Sequence, residues 1–214
     1  MIKLSLTSKL GCKSWSLQAG DTCPGSYDKT GGLVPACSGC YAKGGNYRFA
    51  NVKAPREHNK QDWQRPEFTA EFIAALDTES YFRWFDSGDM YALGLAEKIY
   101  EIMLATPWVN HWLPTRMHKF PKFANILAKM KALPNVSVRF SSDSVMGDYE
   151  AGLHGSVIVP DTDSVPAAAY LCGAYSREGK CGSCKACWNK AVDVIAYPAH
   201  GRSMAKVIRI ALAA

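Results

Sequence analysis

Four of the chain's eight cysteines, Cys172, Cys181, Cys184 and Cys187, fall within one sixteen-residue stretch near the C-terminus. The other four, Cys12, Cys23, Cys37 and Cys40, lie near the N-terminus. Thiolates are soft ligands. A Cys-x2-Cys-x2-Cys run with a fourth Cys upstream can bring four of them to one iron–sulfur cluster or one tetrahedral zinc. Zinc ribbons favour two Cys-x2-Cys pairs separated by a longer stretch, whereas successive two-residue gaps suit cluster ligation. Iron–sulfur is therefore the expected metal, as a [4Fe-4S] cluster, with zinc as the alternative. Cys23, Cys37 and Cys40 form a second set to which Cys12 could add a fourth ligand. Four ligands suffice for one cluster and eight allow two, and the two sets could also share one.

Bulk composition supports a metal over a disulfide framework. The chain has 214 residues and is 48% hydrophobic, enough to bury a core without covalent staples. Eight cysteines could pair as four disulfides, but no secretory leader opens the sequence and the spacings are tight. The expectation is a cytoplasmic protein whose clustered thiols stay reduced. No run reaches the length of a membrane span, so no membrane partner is expected. The formal charge is +6. Much of it lies in Lys43–Arg65, where Lys43, Arg48, Lys53, Arg56, Lys60 and Arg65 are interleaved with Tyr47, Phe49 and Trp63. Basic residues among aromatics could grip nucleic acid; a solvated helix face is the plainer explanation.

The elements that must position these groups follow from periodicity. Residues 1–60 are broken by glycines and prolines and are expected to be an irregular, cysteine-bearing wrap, with a helix from near Cys40 past Arg48 that Pro55 breaks. From 66 to 160 the pattern is regular. Apolar residues at helical spacing predict helices over 66–76, 92–104 and 121–133; short aromatic or β-branched runs predict strands at 81–85, 111–113, 136–140 and 156–159. Residues 161–214 are expected to hold the C-terminal cysteines and final strands at 167–171, 192–196 and 207–212. Strand and helix alternate, so the fold class is α/β, one domain built on a parallel sheet. The last third has too few helices for an eight-fold barrel, which makes a partial (β/α) barrel the expected form.

In such folds functional groups collect at the C-terminal ends of the strands. Here the expected strands run into Asp86, Arg116, Ser141 with Asp143, Cys172 and His200. Asp86, Arg116 and His200 are the candidate catalytic residues: Arg116 for holding an anionic group through its planar fork, His200 for moving a proton. Ser141 and Asp143 are candidates for contacting a cofactor, although a plain turn explains them as well. Asp89 is expected to cap the following helix. The remaining histidines show no ligand spacing, and no phosphate loop or Ser-His-Asp signature is present.

Taken in order, Ser14-Trp15-Ser16-Leu17, Cys23-Pro24-Gly25, Cys37-x2-Cys40-Tyr41-Ala42, Arg83-x2-Asp86-Ser87-Gly88-Asp89, Thr115-Arg116 and Cys181-Gly182-x-Cys184-x2-Cys187-Trp188 resemble the phage "gene product 88" family over nearly the whole chain. The resemblance implies a viral source, and hence the host cytoplasm. A more distant similarity is to radical S-adenosylmethionine (SAM) enzymes, through the partial barrel and the Cys-x2-Cys-Tyr-Ala ending. Their usual loop is Cys-x3-Cys-x2-Cys, whereas Cys23 and Cys37 here are thirteen residues apart. That likeness implies an iron–sulfur cluster at the barrel mouth with SAM as a further ligand, and radical or Lewis-acid lyase chemistry on an unknown small molecule. The rival expectation is a non-catalytic, metal-stabilised module that binds nucleic acid or a host protein.

Overall fold

The computed structural model describes residues 1–213. Two short strands, β1 (Ser5–Thr7) and β2 (Cys12–Trp15), open the chain. The helices α1 (Pro35–Ser38), α2 (Ala50–Asp62) and α3 (Phe68–Ala75) follow, with single 3-10 turns around them. Strand and helix then alternate through β3 (Tyr81–Trp84), α4 (Leu93–Ala105), β4 (Asn110–Thr115), α5 (Ala124–Ala132) and β5 (Val136–Ser141). The last third holds β6 (Gly155–Val159), β7 (Ala169–Leu171), β8 (Val194–Pro198) and α6 (Arg202–Leu212).

All eight strands share one sheet in the order β1-β2-β3-β4-β5-β6-β8-β7. β1 is antiparallel to β2 and every other pairing is parallel. β1 and β7 are unpaired edges, so the sheet is open and no barrel closes. The expected α/β class and mostly parallel sheet are present.

Strand alternation sorts the side chains onto two faces. Trp15, Phe82, Trp84, Leu113, Val136 and Val138 point to one face and form the main core with Phe68, Phe72, Leu95, Ile99, Phe123 and Met130 of the helical layer. Cys12, Ser14, Arg83, Trp112, Ser137 and Arg139 alternate with them and face the other way. On that second face a smaller cluster joins Leu10, Cys12, Trp112, Ala174, Cys181 and Trp188. The cysteine-rich segment after β7 crosses this inner face: the Trp188 indole donates to the Phe82 carbonyl on β3 at 2.9 Å, and the Cys181 amide donates to the Lys9 carbonyl between β1 and β2 at 2.8 Å.

Three local expectations need correction. Residues 207–212 are helical, not a strand: α6 buries Met204 and Ile208, four apart, against Ala36 and Val145. β-branched residues raise strand propensity, but the one-sided burial here has helical period. Pro55 lies inside α2 and does not end it. It lacks one amide, but the helix is held by tertiary bonds: Arg56 donates to the Ser87 hydroxyl at 2.7 Å, and the Asn59 amide to the carbonyls of Lys3 and Ser16 at 3.1 and 3.0 Å. The first sixty residues are not wholly irregular, because β1 and β2 extend the sheet.

Candidate functional site

The rim where β2 to β5 end is built by tight turns. Phe85 follows β3 with φ +53, a left-handed conformation that costs a side-chain-bearing residue energy. That turn buries the Phe85 ring against Trp15, 5.7 Å between centroids, and sends Asp86 the other way. Gly88, at φ +79, sits where a Cβ would lie 2.6 Å from the Leu17 Cβ. Only glycine fits there, and the Asp86–Asp89 turn locks onto β2.

Asp86 is a partly buried ion-pair partner. Arg56 lies 3.2 Å from its carboxylate, the Tyr47 hydroxyl donates to it at 3.2 Å, and the Ser16 hydroxyl donates to it at close range. The Tyr41 hydroxyl donates to its carbonyl at 2.6 Å. Asp89 is buried and, contrary to expectation, does not cap α4, which starts after Ala92 with no side-chain cap. It accepts from the Thr115 hydroxyl and from the Arg116 and Met90 amides, each at 2.8 Å, tying the end of β3 to the end of β4. Burial nevertheless pushes its carboxyl up to about 6.

Arg116 and Asp143 are brought together. Arg116 Nε donates to Asp143 at 3.1 Å and its terminal nitrogen to the Ser142 carbonyl at 2.7 Å. Lys119 joins the pair, 2.6 Å from Asp143 and 3.1 Å from the Gly25 carbonyl. A Cβ on Gly25 would lie 2.5 Å from the Arg116 Cβ, so the Cys23-Pro24-Gly25 turn presses directly on this residue. Ser141 ends β5, half-buried, on the inner side of the same rim. Among the described residues, no hydrogen bond or ion pair joins His200 to Asp86 or Arg116. The histidine is exposed beyond β8 and rests on the Tyr175 ring at 4.4 Å, with Lys9 above the same ring at 4.6 Å.

None of the eight cysteines is in a disulfide. They divide into two groups. Cys23, Cys37 and Cys40 form the rim group. Burial raises the Cys23 thiol to about 11, and Asp89, Cys37 and Cys40 add to the shift. Burial likewise raises Cys37, with Arg116 opposing and Cys40 reinforcing. The inner group gathers Cys172, Cys181, Cys184 and Cys187, and Cys12 belongs with it: it packs with Cys181, and burial raises its thiol to about 11. Burial raises Cys181 and Cys187, with Cys172 adding to both. Cys184 differs. Partial burial works against its thiolate, but the Ala186 amide, the Tyr170 hydroxyl, Arg177 and Lys185 bring it below the ordinary thiol value.

The sulfurs are grouped without converging. Among the described residues, no three His, Cys, Asp or Glu side chains come together closely enough to hold a metal ion.

Several inner-face residues did not stand out in the sequence. Arg139 on β5 is fully buried and among the described residues pairs with no carboxylate; it donates to the carbonyls of Cys187, Val192 and Asn189 at 2.9 Å and of Ala186 at 3.0 Å. It therefore fixes the backbone that carries Cys187. The Tyr197 hydroxyl lies 3.4 Å from the Cys187 sulfur and the Tyr170 hydroxyl 3.7 Å from that of Cys184. The available signal was an arginine in each of two apolar strands, Phe82-Arg83-Trp84 and Val138-Arg139-Phe140, since a charge facing inward needs a reason.

The basic segment is partly committed. Arg56 pairs with Asp86, Lys60 with Asp21, and Arg65 with Asp62, Glu67 and Glu71. Lys43, Arg48 and Lys53 line a surface cleft of about 490 Å³ with Tyr27 and Tyr47. Among the described residues, no helix is long and apolar enough to cross a membrane.

No curated protein and no solved structure matches the chain. A family model described as Gene product 88 matches residues 3–190, a span that takes in the whole sheet up to β7 and all eight cysteines. The chain belongs to the Gene product 88 family.

Proposed function

We propose that the two thiol groups are metal sites, and that the metal is an iron–sulfur cluster. The observation that carries this reading is the partition of eight free cysteines into two groups, one at the rim beside Asp89 and Arg116 and one on the inner face. Cys172, Cys181, Cys184 and Cys187 would give one site four thiolates, with Cys12 alongside. Cys23, Cys37 and Cys40 would give the rim site three, leaving one coordination position for substrate or for SAM, the further ligand that the likeness to radical SAM enzymes suggests. The donor chemistry fits. A bound metal would take these cysteines as thiolates, and its uptake would release protons. A three-thiolate cluster, when bound, would supply an electron-transfer or Lewis-acid iron at the rim.

The chain's own residues have definable parts in this reading. The Tyr170 and Tyr197 hydroxyls donate to the thiolates of Cys184 and Cys187, lowering the cost of their charge. Arg116, Lys119 and Asp143 clamp the turn that presents Cys23. Asp86, held by Arg56, Ser16 and Tyr47, positions the rim and is not a free base. The exposed imidazole of His200 is the rim group placed to exchange protons with solvent.

The test is iron, sulfide and zinc content together with the electron paramagnetic resonance spectrum of anaerobically purified protein, with and without SAM. A brown protein is expected, bleached in Cys184→Ala and depleted of part of its iron in Cys37→Ala, with a spectrum that SAM perturbs. A colourless protein without iron after expression in iron-replete cells would overturn the iron–sulfur assignment. Retention of full iron and sulfide in both variants would overturn the assignment of ligands. If metal-free protein instead binds oligonucleotide with a steep salt dependence that Lys53→Ala reduces, the nucleic-acid module is the correct reading, and the cleft of Lys43, Arg48 and Lys53 is its contact surface.

A further inference from the structure

The basic segment delivers three uncommitted cations to one cleft. Lys43 ends the 3-10 turn Tyr41–Lys43, Arg48 ends the next turn, Gly45–Arg48, and Lys53 lies in the first turn of α2. All three line the surface cleft of about 490 Å³, and among the described residues none of them is in an ion pair. The cations that follow in sequence are spent elsewhere: Arg56 on Asp86, Lys60 on Asp21, and Arg65 on Asp62, Glu67 and Glu71. Asp21 also lines the cleft, with Lys60 at 3.8 Å from its carboxylate, so the cleft keeps a positive excess.

The walls are held by contacts of their own. The Lys43 stem crosses the turn at Gly20, where a Cβ would lie 3.9 Å from the Lys43 Cε. The Tyr47 hydroxyl is committed to Asp86, and the Arg56 guanidinium lies 4.9 Å from the centre of the Tyr47 ring. Tyr27 is fixed through its backbone: its carbonyl accepts from Lys119 at 3.1 Å, and it pairs with Leu33 in an isolated antiparallel bridge. Its side chain is 42% exposed, which leaves an aromatic ring for a ligand. Gln18, another lining residue, has a buried side-chain oxygen that accepts no hydrogen bond.

We propose that this cleft binds a nucleoside phosphate, with the phosphate on Lys43, Arg48 and Lys53, the base stacked on Tyr27, and Gln18 as the acceptor for an amino group of the base. Phosphate oxygens suit both the point charge of a lysine and the planar fork of an arginine. An aromatic ring stacks on any base. The volume falls within the range of roughly 300–1,000 Å³ usual for small-molecule sites. A nucleic-acid strand fits less well, because its backbone needs cations repeated along a track, and the cations beyond the cleft are paired with acids. The site goes beyond the metal reading and does not depend on it, since no cysteine lines the cleft.

The test is calorimetric titration of the full chain under reducing conditions, at ionic strength held constant with sodium chloride. The probes are ADP, pyrophosphate and a thymidine decanucleotide. ADP is expected to saturate at one per chain, and pyrophosphate, which has no base to stack, to bind about tenfold more weakly. Lys53→Ala should weaken both about tenfold through the lost charged contact. Lys43→Ala serves the same purpose should that variant fail to fold. Tyr27→Leu should weaken ADP about tenfold and leave pyrophosphate unchanged. Lys129→Ala, an exposed cation of α5 outside the cleft lining, should alter neither. The decanucleotide should bind no more than about tenfold tighter than ADP. The proposal is overturned if ADP does not saturate, if the lysine variants bind it as wild type does, or if Tyr27→Leu leaves its affinity unchanged. Pyrophosphate binding as tightly as ADP would make the cleft a plain anion site and overturn it too. A decanucleotide bound more tightly than that limit would overturn it in favour of a nucleic-acid surface. None of these readouts involves metal, so failure here leaves the metal reading standing.

Discussion

At the scale of single residues, the inner face and rim are set by polar groups whose partners lie far away in sequence. Asp86 and Arg56, Arg116 and Asp143, Arg139 and the carbonyls of 186–193 are all such cases. Their roles could not be read from spacing, because each depends on a partner brought by the fold. The division of the cysteines into two groups followed from their nearness in sequence, except for Cys12. It stands near the rim cysteines in sequence and near Cys181 in space, since β2 crosses to the inner face. Asp89 gives the sharpest single-residue expectation. Each of its oxygens faces donors, and an amide in its place must turn an NH₂ toward a backbone N–H or a donating hydroxyl. Asp89→Asn removes a buried charge with almost no change of shape, yet it should destabilise the protein by about 1–3 kcal/mol, as leaving buried donors unsatisfied does. Urea unfolding at pH 7 measures this. A midpoint unchanged or raised would mean that the charge costs more than its three hydrogen bonds return.

At the scale of elements, the middle of the chain was legible and its ends were not, for physical reasons. α3, β3, α4, β4, α5 and β5 carry one-sided apolar periods because each buries one face against the main core. β2 is only four residues long and buried on both sides, so it shows no alternation at all. α6 hides its period behind β-branched residues. It also closes the chain on itself: it packs on α1, the short helix that carries Cys37, and a Cβ on Gly39 would meet the Met204 Cα at 2.9 Å. The contact is backbone to backbone, so no rotamer change relieves it. Gly39→Ala should push α6 off α1 at a cost of about 1–3 kcal/mol, the usual range for overpacking. Hydrogen exchange should show faster exchange in α6 and in residues 35–40 together, with the helical layer over β3 to β5 unaffected. Equal protection in wild type and variant would show that the α1–α6 seam gives without penalty.

At the scale of the whole molecule, stability should depend on pH through buried groups other than the thiols. His111 is buried on β4, and burial takes its pKa from the ordinary 6.5 down to about 3. Its Nδ1 accepts from the Trp84 indole at 3.3 Å, so Nε2 carries the proton and donates to the Thr106 hydroxyl at 2.9 Å. The ring is thus held neutral and has no lone pair left for another proton. Between pH 6.5 and 3 the unfolded chain binds a proton at this histidine that the folded chain refuses, so stability is lost as pH falls through that window. Burial lowers His118, His154 and His200 as well, with the same sign. Asp89 acts oppositely: its folded pKa of about 6 lies above the ordinary carboxyl value, so below pH 6 the folded state takes up a proton first and gains stability. His111 and Asp89 therefore offset one another in part below pH 6, and a shallow wild-type profile is expected there. His111→Gln separates them, because a glutamine can keep both the Trp84 and the Thr106 hydrogen bonds and cannot titrate. Its stability curve, set against the wild-type curve, should differ in slope by about 1.4 kcal/mol per pH unit between pH 6 and 5, one proton's worth, with the variant gaining on acidification. Urea unfolding at half-unit pH steps provides both curves. Parallel curves would mean that His111 titrates alike in the folded and unfolded chain, and that the hydrogen bonds to Trp84 and Thr106 do not hold it neutral.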